Sequence, residues 1–104
     1  MTAMAMMEKR KLVTIVTEAS LERSLLVELE KLGAHGYTIT DVRGKGSRGV
    51  RNAGFDLTAN IRIDIVCTAE TADAIATGMR ERYYDNYAMI MFVEDVDVQR
   101  PEKF

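Results

Sequence analysis

Asn60-Ile61-Arg62-Ile63-Asp64-Ile65-Val66-Cys67 alternates with a period of two. Ile61, Ile63 and Ile65 fall on one side, Asn60, Arg62 and Asp64 on the other, and Cys67 continues the apolar row. Successive side chains of a strand emerge on opposite faces, so this octet predicts a strand with one face that must be covered. A single thiol at the end of that row is expected to be buried, and it has no partner for an intramolecular disulfide.

The cover comes from both sides in sequence. Downstream, Ala72, Ile75, Ala76, Met79 and Tyr83 recur at helical spacing, predicting a helix from about Glu70 to Tyr84. Tyr83-Tyr84-Asp85-Asn86-Tyr87 is aromatic and turn-forming, and at least one ring is expected to staple the helix end to the core. A last strand is expected from Ala88 to Val98, apolar through Val93, then with Val96 and Val98 alternating against Asp95 and Asp97. Upstream, a glycine-rich connection runs back from about Thr58 to a strand over Tyr37 to Arg43, where Tyr37 and Ile39 oppose Thr38 and Thr40. Before it, Leu21, Leu25, Leu29 and Leu32, widened by Leu26, predict a helix. Ser20 or Thr17 would cap its start and Gly33 or Gly36 its end. Lys11 to Thr17 is apolar on both faces, as a central strand requires.

The order is β-α-β-β-α-β, the ferredoxin-like split unit of the α+β class. Right-handed crossovers place both helices on one face of a four-stranded antiparallel sheet. The other face keeps too many apolar positions to stay wet, which predicts self-association. With 104 residues, 47% hydrophobic and 29% charged, the chain suits one soluble domain over 10–104 preceded by a flexible N-terminus over 1–9. Met1 to Met7 lacks the arrangement of a signal peptide, and no run is long and apolar enough for a membrane span, so a cytoplasmic location is expected.

Net charge is −2, yet Gly44-Lys45-Gly46-Ser47-Arg48-Gly49-Val50-Arg51 gathers three cations, a hydroxyl and three glycines into eight residues, with Arg43 just before. Glycines let backbone N–H groups turn toward a ligand, and arginine forks match phosphate oxygens two at a time. The residues alone leave two readings, an anion-binding loop or a solvated connection. A Walker loop is excluded, because that motif needs an earlier glycine at a fixed offset and a helix directly afterward, whereas a strand follows here. His35, at the first helix's exit, has no neighbour in sequence with which to ligate or catalyse.

Gly36-Tyr37-Thr38, the loop from Gly44 to Arg51, Ala59-Asn60-Ile61 and Tyr87-Ala88 together resemble PII-like signalling proteins of inorganic-carbon metabolism, with Val16-Thr17-Glu18 as a weaker match. That group includes the carboxysome-associated PII protein and the regulator of the cyanobacterial bicarbonate transporter. The resemblance spans Lys11 to Val98. It implies a homotrimer with an adenine nucleotide in each inter-subunit cleft and a T-loop, here about 44–58, that regulates a partner. That partner would be a membrane bicarbonate transporter, placing the protein at the membrane periphery, or a carboxysome-related protein. Lys45, Ser47, Arg48 and Arg51 would face the phosphates, with Gly44 and Gly46 supplying N–H groups. Tyr37, Tyr87, Ala88 and Met89 would lie on the base and ribose side, completed by Asp64 and Val66 of a neighbouring subunit. Bicarbonate would be a second ligand, and no cofactor is required.

Several departures refine this expectation. No modifiable tyrosine lies between Gly44 and Asn60, and Asp85-Asn86-Tyr87-Ala88-Met89 contains no glycine or lysine. AMP or ADP is therefore expected in preference to ATP with 2-oxoglutarate. Met89 stands where the transporter-regulating branch has glycine, which would narrow the adenine pocket. The paired-cysteine segment of that branch is absent after Arg100, so its redox-gated diphosphatase activity is not expected. The alternatives are weaker. Nucleotide hydrolysis would have to run through magnesium at Asp56 or Asp64, without a histidine or carboxylate cluster beside the cations. Nucleic-acid binding would need aromatics on the third strand, which carries isoleucine, arginine and aspartate. A metal-binding trimer finds no ligand spacing in His35 and Cys67.

Overall fold

The computed structural model describes residues 7–44 and 59–104. Strand β1 (Glu8–Glu18) runs through a 3-10 turn (Ala19–Leu21) into helix α1 (Glu22–Lys31). Strands β2 (Thr38–Val42) and β3 (Asn60–Cys67) follow, then helix α2 (Ala69–Arg82), strand β4 (Ile90–Val98) and a terminal 3-10 turn (Pro101–Lys103). The strands form one sheet in the order β2-β3-β1-β4, with all three pairings antiparallel. This is the ferredoxin-like arrangement expected from the order of elements. β1 starts at Glu8, ahead of the expected Lys11, because it pairs with β4 as far as Val98.

Residues directly opposite in register share a face. The row Ile39, Ile63, Ile15, Met91 crosses all four strands on the side covered by the helices. Val13, Ile15, Ile61, Ile63 and Ile65 are fully or almost fully buried there, packed with Leu25 and Leu29 of α1 and Ala72, Ile75 and Met79 of α2. The alternation read in 60–67 is thus the core face of β3. On the opposite, open face Ile90 is 59% and Phe92 42% exposed, so a single protomer does leave apolar surface uncovered.

The ends of α1 differ from expectation at one side and agree at the other. Neither Ser20 nor Thr17 caps it: its N-cap is Leu21, with no side-chain bond. Ser20 instead donates its hydroxyl to the Glu18 carboxylate at 3.0 Å, and Thr17 turns under the sheet to the Ala88 carbonyl at 3.4 Å. The intervening 3-10 turn displaces both residues from the capping position. Gly33, at φ +106°, ends the helix. Its N–H bonds to the Glu30 carbonyl at 3.2 Å and that of Ala34 to Leu29 at 3.0 Å, the paired bonds of a Schellman motif. Gly33→Ala should lower stability by about 1–2 kcal/mol, since a side chain there is strained and its Cβ meets Thr71 Oγ1 at 3.4 Å. Gly36→Ala, with open space around it, should change stability by less than about 0.5 kcal/mol. Urea unfolding of the two variants makes the comparison.

Helix α2 is capped by Thr68, whose Oγ1 accepts the Thr71 N–H at 3.2 Å. Its buried stripe includes Gly78, while Ala76 is only half-buried. A Cβ on Gly78 would lie 2.9 Å from Leu32 Cδ1, so this glycine lets the chain beyond α1 approach α2. Arg82 and the largely buried Glu28 pair across the two helices at 3.0 Å. The tyrosine staple is Tyr83: buried, its hydroxyl 2.8 Å from Ser24 Oγ and its ring 5.9 Å from that of Tyr87.

Candidate functional site

Antiparallel pairing sets which ends of the strands meet. Val42 opposes Asn60, Asn60 opposes Glu18, and Val16 opposes Ile90. The exit of β2, the entry of β3, the exit of β1 and the entry of β4 therefore lie at one end of the sheet. Gly44 is exposed there, with no atom within 4 Å of where a Cβ would stand, so backbone can be approached closely. The return of the β2–β3 connection is tied down by the Ala19 N–H, which donates to the Ala59 carbonyl at 2.8 Å. Lys45, Gly46, Ser47, Arg48 and Arg51, and Asp56 with them, lie outside the described residues.

Tyr87, Ala88 and Met89 sit at the same end, in the turn that enters β4. β4 begins at Ile90, later than the expected Ala88, because the preceding residues fold back on α2. The Asn86 and Tyr87 N–H groups donate to the Tyr83 carbonyl at 3.1 and 3.0 Å, and the Met89 N–H donates to the Tyr87 carbonyl at 3.0 Å. The Met89 side chain is buried in the core rather than projecting from the turn. The Thr17 hydroxyl donates to the Ala88 carbonyl at 3.4 Å, tying this turn to β1.

Gly44 follows β2 and the Tyr87–Met89 turn precedes β4, the two outer strands of the sheet. Three strand spacings separate β2 from β4, roughly 14 Å at the usual spacing. Among the described residues, Gly44 therefore lies apart from Tyr87, Ala88 and Met89 within one protomer. Tyr37 lies before β2, 49% exposed rather than on a half-buried face, because β2 starts only at Thr38 on an outer edge of the sheet. Asp64 and Val66 lie on the open face of β3, four and six residues from Asn60, roughly 13 and 20 Å along the strand.

Asp64 is the most constrained of these side chains. Thr14, fully buried although on the open face, donates its hydroxyl to Asp64 Oδ1 at 2.8 Å. The Arg62 Nε–H donates to Oδ1 at 3.2 Å and Oδ2 at 3.0 Å, and this contact raises the Arg62 pKa above its ordinary value. The sequence placed Arg62 merely on the polar side of its strand and gave Thr14 no role. The available signal was a threonine in the middle of an otherwise aliphatic central strand.

Other polar residues offer less. Cys67 is buried, and burial pushes its thiol pKa up, away from the reactive thiolate. His35 is exposed beyond α1. Among the described residues no group of three or more His, Cys, Asp or Glu could hold a metal ion, and no helix is long and apolar enough to cross a membrane.

The fold is a ferredoxin-like sheet with a cationic sequence between its second and third strands and a tyrosine turn before its fourth. Residues 10–103 match the family model of nitrogen regulatory protein P-II, and the chain belongs to that family. It is similar to a PII-like signalling protein of Thermus thermophilus, with 45% identity and a TM-score of 0.80 over 94% of this chain and 97% of that one. It is also similar to CPII of Thiomonas intermedia, a nitrogen regulatory PII-like protein solved with ADP, AMP and bicarbonate bound. There identity is 27% and the TM-score 0.81, over 94% of this chain and 95% of that one. The GlnK–ATP complex of B. subtilis, 22% identical with a TM-score of 0.64 over 85% of this chain and 82% of that one, shares the fold. The chain is a PII-like signalling protein.

Proposed function

We propose that this protein is a homotrimeric, non-enzymatic sensor that binds ADP or AMP between subunits. Gly44, Lys45, Gly46, Ser47, Arg48 and Arg51 of one protomer hold the phosphates. Tyr37, Tyr87, Ala88 and Met89, with Asp64 and Val66 of a neighbour, shape the base and ribose side. Bicarbonate is the second ligand, using the same cations. Occupancy selects among arrangements of the T-loop, residues 44–58, and so governs a membrane bicarbonate transporter or a carboxysome-related protein, the sensor itself being cytoplasmic or held at the membrane periphery by that transporter. A ligand shifts such an equilibrium only through unequal affinity for the two states.

The observation that carries this reading is the 27% identity, over nearly the whole chain, with CPII bound to ADP, AMP and bicarbonate. The sheet geometry supports the inter-subunit location. The exit of β2 and the entry of β4 lie on opposite edges of one sheet, and they meet when the β2 edge of one copy approaches the β4 edge of the next, a head-to-tail contact that closes into a ring. The exposed Ile90 and Phe92 on the open face supply apolar area for that contact.

Calorimetric titration with AMP, ADP, ATP and cyclic AMP, with and without bicarbonate, tests the proposal, alongside sedimentation to fix the subunit number. Saturable binding of ADP or AMP at one site per subunit of a trimer is the expected result. Absence of binding by all four would mean that the cationic loop serves another anion or a protein. Chromatography of the incubated nucleotide should return it unhydrolysed.

A further inference from the structure

We propose that the contact between the Ser24 and Tyr83 hydroxyls sets the Tyr87–Met89 turn in place for the nucleotide base, which makes Ser24 and Tyr83 positioning residues for the ligand. This rests on the nucleotide-binding reading above and extends it to two residues which that reading does not use.

Tyr83 holds the turn through its carbonyl, its ring and its hydroxyl. The carbonyl accepts the Asn86 and Tyr87 N–H groups at 3.1 and 3.0 Å, so two amides of the turn hang from one oxygen. The ring packs against that of Tyr87 at 5.9 Å, tilted by 56°. The hydroxyl reaches across to α1, where it meets Ser24 Oγ at 2.8 Å. Phenylalanine would bury the same ring at the helix end with no hydroxyl to desolvate. The hydroxyl's use is therefore directional. It fixes where the ring, and with it the carbonyl and Tyr87, stand relative to α1.

The seam between the helices gives that direction its importance. Ser24, Glu28 and Leu32 recur every four residues along one face of α1 and its C-cap. They meet Tyr83, Arg82 and Gly78 in turn, through the hydroxyl pair, the 3.0 Å contact of Glu28 Oε2 with Arg82 Nε, and the close approach of Leu32 to Gly78. Gly78 sets how near the helices come. The two polar contacts set how far α2 reaches along α1, and so where the turn begins. Arg82 is 62% exposed on a long side chain, which leaves the hydroxyl pair, beside a buried ring, as the tighter of the two. α1 is itself a fixed reference, because the Ala19 N–H before it is bound to the Ala59 carbonyl at 2.8 Å. The turn is thus held from α1 through Tyr83 and from β1 through Thr17 on the Ala88 carbonyl. Held at both ends, it presents one arrangement to a ligand. Released at Tyr83, it divides among several, and apparent affinity falls with the fraction that stays competent.

The test measures AMP and ADP affinity and backbone amide exchange for the full chain and for Tyr83→Phe, Ser24→Ala, the double variant and Ser24→Thr. Tyr83→Phe keeps the ring and its packing. It should weaken AMP and ADP by the same factor, about threefold to tenfold, the change that one net hydrogen bond makes in a two-state population. An equal factor marks the base side, because a loss at the phosphates would fall more heavily on ADP. Ser24→Ala should match it, and the double variant should lose no more than either alone, since both changes remove one contact. Ser24→Thr keeps a hydroxyl and should bind within about twofold of the unaltered protein. The Asn86 and Tyr87 amides should exchange faster in Tyr83→Phe and Ser24→Ala. The Ala72 amide at the head of α2, bonded to the Thr68 carbonyl, should not. A contact that merely stabilised the helices would speed exchange along α2 and leave affinity unchanged. Ser24 lies at the surface, so Ser24→Ala reads the same quantities should Tyr83→Phe fold poorly. Nucleotide binding that survives intact in both single variants overturns this inference alone, as do losses that add in the double variant or fall on ADP only. If the unaltered protein binds neither nucleotide, the functional reading itself fails and takes this inference with it.

Discussion

Ile63→Ala should lower the free energy of unfolding by about 3–4 kcal/mol. Ile63 is fully buried at the centre of the covered face, between Ile39 of β2 and Ile15 of β1, beneath both helices. Truncation removes the transfer free energy of three carbons and leaves a cavity that three hydrogen-bonded strands cannot collapse to fill. For a domain of this size total stability is about 5–15 kcal/mol, so one substitution consumes a large share of it. Val27→Ala on the outer side of α1, where the valine is 53% exposed, should stay within about 0.5 kcal/mol. Urea midpoints for the two variants, taken at two protein concentrations to separate folding from assembly, test the contrast. Equal midpoints would mean that the row through Ile63 is not the core.

That core was legible because a period of two over eight residues can place its apolar row in only one way. The element order followed from it, since each flanking helix carries a stripe of matching polarity. What escaped were the joints. Thr17 and Ser20 both look like caps in sequence. The 3-10 turn that displaces them is closed by a bond from Ala19 to Ala59, forty residues away. Thr68 carries the better capping signal, a threonine three residues before Thr71 at the head of an apolar stripe. Gly78 looks like an ordinary helix residue because its reason for being small, Leu32, belongs to another element. Tyr37 reads as a strand residue because it alternates correctly, but alternation does not say where pairing begins.

The site was legible to a different degree. Composition alone marks the loop from Gly44 to Arg51 as a candidate, since cations and glycines are local. The Thr14–Asp64–Arg62 network was not, because Thr14 and Asp64 are fifty residues apart and only the β1–β3 register makes them neighbours. The separation of the β2 exit from the β4 entry is likewise a property of topology. Strand order places β2 and β4 farthest apart, and no motif in the chain encodes that separation.

The Arg48→Ala, Arg51→Ala double variant should lose about a hundredfold or more in ADP affinity with its fold intact. A charge-assisted hydrogen bond to phosphate contributes about 1.5–3 kcal/mol, and a tenfold change in affinity corresponds to about 1.4 kcal/mol. Removing both guanidinium groups therefore costs at least two decades. The loss should be smaller for AMP, which offers one phosphate fewer to the same cations, so the ratio of ADP to AMP affinity should fall. Residual binding should also depend less on ionic strength, because fewer charges remain to be screened. Unfolding midpoints should stay near those of the unaltered protein, since the described core is built from residues of the strands, the helices and their adjoining turns. Calorimetry at two salt concentrations, with both nucleotides, reads all of these quantities. Unchanged ADP affinity would remove the loop from the phosphate site. An equal loss for ADP and AMP would move the two arginines to the α-phosphate, the only phosphate that the two nucleotides share.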